Sequence, residues 1–295
     1  MANTLTNLTN TVLAQRTLES FTATLAPIMR LSNNFSDSAA TRGDKIKVPF
    51  VSAQDAATNF AGTYSMQDAD AEGLDIALDK HKFVSWQLTD KELFDMPQLS
   101  LERFARQKGF QLAKAVFQDI LSVVTLANYG AAGFTGAAST FDADAAIDLS
   151  ALCDEADFPE NERALLLDAS YHANLRKSLK LADGFGSDVI MRQGQIPSFD
   201  KFDAVMGSTV IPDNGENLTG MALHPDAILT AMRYLQPPAE NTYSEAIPLT
   251  DPETGMTLGL RRWYDPDTGA SRQVIEAVYG FRVGVTTGIQ RIVSA

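Results

Sequence analysis

The groups whose spacing comes nearest to a site lie late in the chain, where DPDTGASRQVIE puts Asp265, Asp267 and Glu276 at the first, third and twelfth positions of a calcium-loop template. The match fails where the chemistry is exacting: Ala270 stands where the sharp turn needs glycine, the fifth position has no acid, and the flanks read as strands. His81, His172 and His224 are scattered, with no second histidine at helical spacing, which excludes an HExxH-type zinc site. They read as polar structural residues. Cys153, the single cysteine, can form neither an intrachain disulfide nor a paired-cysteine zinc site, and reads as a small buried residue beside Ala151 and Leu152. There is no GxSxG elbow. The stretch GAAGFTG (130–136) lacks the lysine of a phosphate loop, and ADGFGSDVI (182–190) has Val189 where a dinucleotide fingerprint needs its third glycine; both read as flexible connectors. Carboxylate pairs at Asp154 and Glu155 and at Asp68 and Asp70 have the reach for acid/base work, but in so acidic a chain they read as solvated faces. No catalytic, cofactor-binding or metal-binding set is nominated, and the chain is not read as an enzyme.

The elements that hold these groups are clearer than the groups themselves. Residues 1–43 carry an apolar stripe at threes and fours (Val12, Leu13, Leu18, Phe21, Leu25, Ile28) and read as an arm. In DKIKVPF, Ile46, Val48 and Phe50 share one face of a strand while Lys45 and Lys47 take the other. Residues 51–73 have no convincing periodicity, and a return strand follows in which Leu74, Ile76 and Leu78, then Val84, Trp86 and Leu88, alternate. Such an excursion exceeds ordinary loop lengths. Two strands around it have no core of their own to bury, so the sequence places it on a neighbour.

The strongest element is LSLERFARQKGFQLAKAVFQDILSVVTLANYG, a helix with Ser100 as N-cap, Glu102 in the first turn and a stop at Asn128–Gly130. Thirty residues would extend roughly 45 Å. Its first half is one-sided, with Arg103, Arg106 and Lys108 free to face out, and its second half looks buried all round. Beyond a linker at GAAGFTGAAST, LSALCDEADF, YHANLRKSLKLAD and HPDAILTAMRYL read as helices and ALLL (164–167) as a buried strand, in a mixed α+β unit. Thr257–Tyr264 and Ser271–Tyr279 flank DPDTG, a hairpin turn with Pro266 preset at its second position and Gly269 free to take positive φ.

Composition bounds the partners. Of 295 residues, 45% are hydrophobic and 21% charged, which suits a folded chain of about two units. Lys plus Arg number 24 against 37 Asp plus Glu, a net charge of −13. A surface that repels phosphate disfavours direct nucleic-acid binding, though not the enclosure of DNA. No run of about 18 apolar residues and no basic leader is present, so no membrane association or export is expected.

The order of these elements, with RGDKIKVPF, LDKHKFVSWQLTDKEL, ERALLLDASYHANL, GQIPSFDKFDAVMGSTVIP and EAVYGFRVGV, resembles the major capsid proteins of tailed bacteriophages, the Hong Kong ninety-seven fold. Within that family it looks most like the branch of the Salmonella phage P-twenty-two coat protein. The resemblance implies an N-terminal arm (1–43), a first strand, extended loop and return strand (44–91), a spine helix and linker (92–139), an axial domain (140–256) and a peripheral hairpin with C-terminal strands (257–295). It implies self-assembly into hexamers and pentamers of an icosahedral shell around double-stranded DNA, in a virion assembled in the bacterial host cytoplasm, with a separate scaffolding protein and a portal as partners. Some relatives cross-link a loop lysine to a hairpin asparagine, but residues 51–79 hold no Lys and the DPDTG tip no Asn, so contacts here are expected to be non-covalent. On this reading Asp68, Asp70 and Glu72 meet Arg103, Arg106 or Lys108 of an adjacent spine. A nanocompartment shell of the same fold and a soluble hydrolase are the alternatives.

Overall fold

The computed structural model describes residues 15–24, 31–34, 45–49, 59, 62, 73–95, 98–181, 194, 196, 198–238, 243–250 and 256–295. Before the long helix come β1 (Asn33–Asn34), β2 (Lys45–Pro49), β3 (Gly73–Ala77), β4 (Lys80–Thr89) and α1 (Asp90–Asp95). The helix itself is α2 (Gln98–Leu121), followed by the single turn α3 (Leu126–Tyr129), β5 (Ala132–Thr135), α4 (Ala143–Glu155), β6 (Ala164–Asp168) and α5 (Ala169–Leu181). The remaining strands are β7 (Ala204–Ser208), β8 (Leu218–Leu223), β9 (Ile228–Arg233), β10 (Glu245–Thr250), β11 (Thr257–Asp265), β12 (Ala270–Val283) and β13 (Ile289–Val293).

β12 organises one half of the molecule. Its residues 270–279 pair with β4 along one edge, while along the other edge its first half takes β11 and its last residues take β9. With β10 on β11 and β1 on β9, this makes a six-stranded sheet. The expected hairpin forms: Gly269 turns at φ 56°, Asp265 accepts from Asp267 N at 3.1 Å, and Arg272 closes on Asp265 at 2.7 Å. Alternation sends Trp86, Leu88, Leu258, Leu260, Ile275 and Tyr279 to one face, where they pack on Leu112, Val116, Phe117 and Ile120 of α2. Each such apolar side chain contributes about 1.5–3 kcal/mol by leaving water.

The five-stranded sheet runs β5-β13-β8-β6-β7. β6 is apolar on both sides because both are covered: Leu165 and Leu167 face the α4–α5 layer with Leu149, Cys153, Tyr171 and Leu175, whereas Leu166 faces the spine. Asp142 caps α4 by accepting from Ala145 N at 3.0 Å.

Several expectations need correction. HPDAILTAMRYL is not a helix; after a short turn at Pro225–Ala227 it becomes β9, wedged between β12 and β1 and buried from Ile228 to Met232. A strand covered on both faces is a continuous apolar run, which periodicity cannot tell from a buried helix. GAAGFTG is no loose connector, since β5 lies within it and pairs with β13, and a Cβ on Gly133 would fall 2.9 Å from the Leu149 side chain. That glycine serves close packing. ADGFGSDVI lies outside the described residues. The long helix begins at Gln98, so Ser100 is not its cap, and it ends at Leu121 after 24 residues, about 36 Å. The β-branched run Val123–Thr125 disfavours continuation, and the Asn214 carboxamide takes the released carbonyls of Leu121 (3.0 Å) and Val124 (2.8 Å).

The limbs are also anchored at home more firmly than expected. Residues 15–24 are helical and cross α2 at Ala105 and Gly109; Thr17 Oγ1 donates to Ala105 O and Ser20 Oγ to Arg106 O (2.9 Å). A Cβ on Gly109 would fall 2.4 Å from Thr17 O, and Phe21 is fully buried in the chain's own core. The base of the loop has a core too: Ile46, Val48 and Ile76 pack with Leu229, Ala231 and Val278, and Gly280 admits the Ala77 carbonyl where a Cβ would sit 2.0 Å away. Of the arm stripe, Val12, Leu13, Leu25 and Ile28 lie outside the described residues, as does the excursion apart from Asn59, Gly62 and Gly73.

Candidate assembly surface

The first half of α2 is one-sided, as its sequence requires. Ala105, Gly109 and Leu112 turn inward, while Arg103, Phe104, Arg106 and Phe110 are exposed. Lys108 is half-buried, its ammonium 5.3 Å from the Phe104 ring centroid, and Phe104 meets Trp86 edge-on at 6.3 Å. The face is therefore basic and aromatic, a combination suited to acids and to aromatic edges. Asp68, Asp70 and Glu72 lie outside the described residues.

A second surface is the outer side of the six-stranded sheet. Register puts His81, Phe83, Ser85 and Gln87 of β4 beside Val278, Glu276, Val274 and Arg272 of β12. Phe83 is 62% exposed there. The neighbouring Glu276 is buried, held by Arg261 at 2.7 Å and His81 at 3.0 Å, with Leu235 O accepting from Arg261 and Tyr243 under its guanidinium. The long outer strands of this sheet differ. β10 carries Pro248, which cannot donate a hydrogen bond. β4 has ten residues paired only with β12 among the described residues, a long strand edge open to another chain. At the hairpin end, Tyr264 donates to Asp90 at 2.8 Å and Phe94 is 91% exposed.

Other titratable groups are buried or pair with one another. Burial pushes the Cys153 thiol up to about 12 and raises Tyr279, whose phenol donates to Asp119 at 2.6 Å while Lys82 binds the same carboxylate at 2.9 Å. Lys201 and Arg163, each 2.7 Å away, hold Asp154 below the usual carboxylate range. Desolvation lowers His172, which lies over Gly207. His224 accepts from Asp226 N at the short turn before β9. The calcium-template residues separate, with Glu276 turned to Arg261 and His81 and Asp265 to Arg272. Among the described residues no three His, Cys, Asp or Glu side chains group as metal ligands, and no helix is long and apolar enough to cross a membrane.

Sequence reasoning missed the buried cations Arg163 and Arg291. Arg163 donates to Phe158 O and Pro159 O besides Asp154, and Arg291 donates to Gly130 O and pairs with Glu216. Arg163 finds its partners within nine residues, at the end of α4 and just after it, whereas those of Arg291 lie far along the chain, and neither set has a sequence pattern of its own.

No protein-family model matches the chain, and no curated protein matches it in sequence. Its fold does have solved counterparts. A Mycobacterium phage Che8 structure superposes with a TM-score of 0.63 at 20% identity over 90% of each chain. The capsid of cyanophage P-SCSP1u gives 0.62 at 13% identity over 90% of this chain and 86% of that one. A virus-like particle from Pyrococcus furiosus gives 0.54 at 12% identity over 94% and 96%. The α+β architecture is that of phage capsid subunits, with little sequence in common.

Proposed function

We propose that this chain is the major capsid protein of a tailed bacteriophage, self-assembling through hexamers and pentamers into an icosahedral shell that encloses double-stranded DNA. The observation that carries the reading is the whole-chain extent of the fold match, about nine-tenths of both chains, to phage capsid structures. Residues 1–43 are its arm, 44–91 its loop with flanking strands, 92–139 the spine and linker, 140–256 the axial domain, and 257–295 the peripheral hairpin and last strands. Asp68, Asp70 and Glu72 of one subunit meet Arg103, Arg106 and Lys108 of the next, and no covalent cross-link is involved. Each exposed pair is worth only about 0–1 kcal/mol, but a closed symmetric shell repeats it, and subunit interfaces near micromolar strength, roughly −8 kcal/mol, then suffice. The acidic surface agrees with DNA enclosed and not gripped. A scaffolding protein and a portal are the partners this reading adds.

The test is electron microscopy of the expressed chain, alone and with the rest of its assembly genes. Hollow or DNA-filled icosahedral particles support the reading, and a strictly monomeric product at high concentration overturns it. The Pyrococcus furiosus likeness favours one second reading, a shell with another content. Particles holding an enzyme cargo in place of nucleic acid would select it.

A further inference from the structure

Residues 213–217 form a tight loop at the place where the long helix stops and the five-stranded sheet begins. Asn214, Gly215 and Asn217 all take positive φ, and Asp213 O accepts from both Glu216 N and Leu218 N at 3.0 Å. The loop is rigid in itself and its side chains reach across. Asn214 Nδ2 donates to Leu121 O and Val124 O, the last carbonyls of α2 and of the bend behind it. Glu216 accepts from Leu126 N, the first amide of α3, at 2.9 Å, and binds the guanidinium of Arg291. Arg291 is buried on β13 and donates onward to Gly130 O at 2.9 Å. One loop thus holds both sides of the joint.

Apolar packing fills the same joint only in part. Phe110 and Phe117 of α2, Leu166 of β6, Met206 and Val210 line a cleft of about 220 Å3 there, with Thr24 of the N-terminal helix on its rim. Apolar contacts tolerate sliding, whereas hydrogen bonds weaken steeply once misaligned. A tilt of about 5° at this end moves the far end of a helix about 36 Å long by about 3 Å. In a closed shell that tilt is curvature.

We propose that Asn214 and Glu216 are positioning residues that fix the angle between the long helix and the five-stranded sheet, and through it the curvature of the shell. The inference rests on the shell reading above. The test compares particles from the full-length wild type with those from Asn214→Gly, which keeps the positive φ but loses the carboxamide, and Glu216→Gln, which keeps the shape but loses the charge. Circular dichroism checks folding and electron microscopy reads particle diameter. The expected result is folded variants whose diameters shift or broaden, or whose lattices run on into tubes. Variants that form particles of wild-type diameter and spread, whatever their melting temperature, overturn the proposal. So does loss of folding in both variants, which would assign the loop to stability alone. Wild-type chain that forms no particle at all overturns the shell reading and takes this inference with it.

Discussion

The two large sheets are treated differently by the rest of the chain. The five-stranded sheet is covered on both faces, by α4 and α5 on one side and the spine cluster on the other. The six-stranded sheet is covered on its spine face, while its outer side is covered by β2 and β3 around Leu229, Ala231 and Val278 and leaves Phe83 exposed and β4 paired along a single edge among the described residues. Among the described residues the first unit has both faces covered within one chain, and the second leaves surfaces that an identical copy can continue. Substitutions in the first should therefore act on the stability of the subunit, and substitutions on the second on assembly.

The largest effect expected is on the covered side. Leu166→Ala, in a side chain buried between the five-stranded sheet and the spine, should cost about 2–5 kcal/mol in denaturant unfolding of the subunit. A loss under about 1 kcal/mol would mean that this layer is not the core it looks to be. Next comes Gly280→Ala, whose Cβ would sit 2.0 Å from the Ala77 carbonyl. It should cost about 1–3 kcal/mol as an overpacking change and, by displacing the loop base, lower particle yield more than Leu166→Ala does at equal stability. Equal yields would erase the contrast between the two sheets.

Acid should act first on the covered unit. The folded pKa of His172 is lowered by desolvation, so its contribution is complete above the ordinary value of about 6.5 and is lost as pH falls through the folded value. Asp154, held low by Lys201 and Arg163, contributes above about 3.9 and loses that contribution only in stronger acid. Subunit melting temperature should therefore decline from pH 7 to pH 5, and His172→Gln should flatten that slope. An unchanged slope in the variant would remove His172 from the account. The smallest effect expected is that of Asp70→Lys, about 0–1 kcal/mol per contact, seen as weaker particles with altered salt dependence and an unchanged subunit melt. Particles and salt response both like wild type would make the acids of the loop a solvated face.

What the sequence disclosed follows the same division. Where one face is wet, period tells the truth: β2, β4, β11 and the first half of α2 stand close to where alternation and three-four spacing put them, and Gly269 turns as its hairpin demands. Where an element is buried all round, local pattern loses its meaning, and the sequence of β9 reads as a helix for that reason. Distance defeats it too. That the helix stops at Leu121 depends on Asn214, far along the chain, and that residues 15–24 lie on their own spine depends on Gly109, which looks like any other helical glycine. Of the candidate contact residues, Arg103 and Arg106 were legible as an exposed basic face, whereas the Glu276, Arg261 and His81 cluster was not, because its members come from three strands.

The claim beneath the rest is that a single chain does not saturate its own surfaces. Sedimentation velocity of the purified full-length chain over a rising concentration series tests it most directly. The account predicts that the monomer boundary gives way to capsomer-sized and then shell-sized species as concentration rises, and a single boundary at the coefficient of a compact 32.0 kDa chain throughout the series would contradict it.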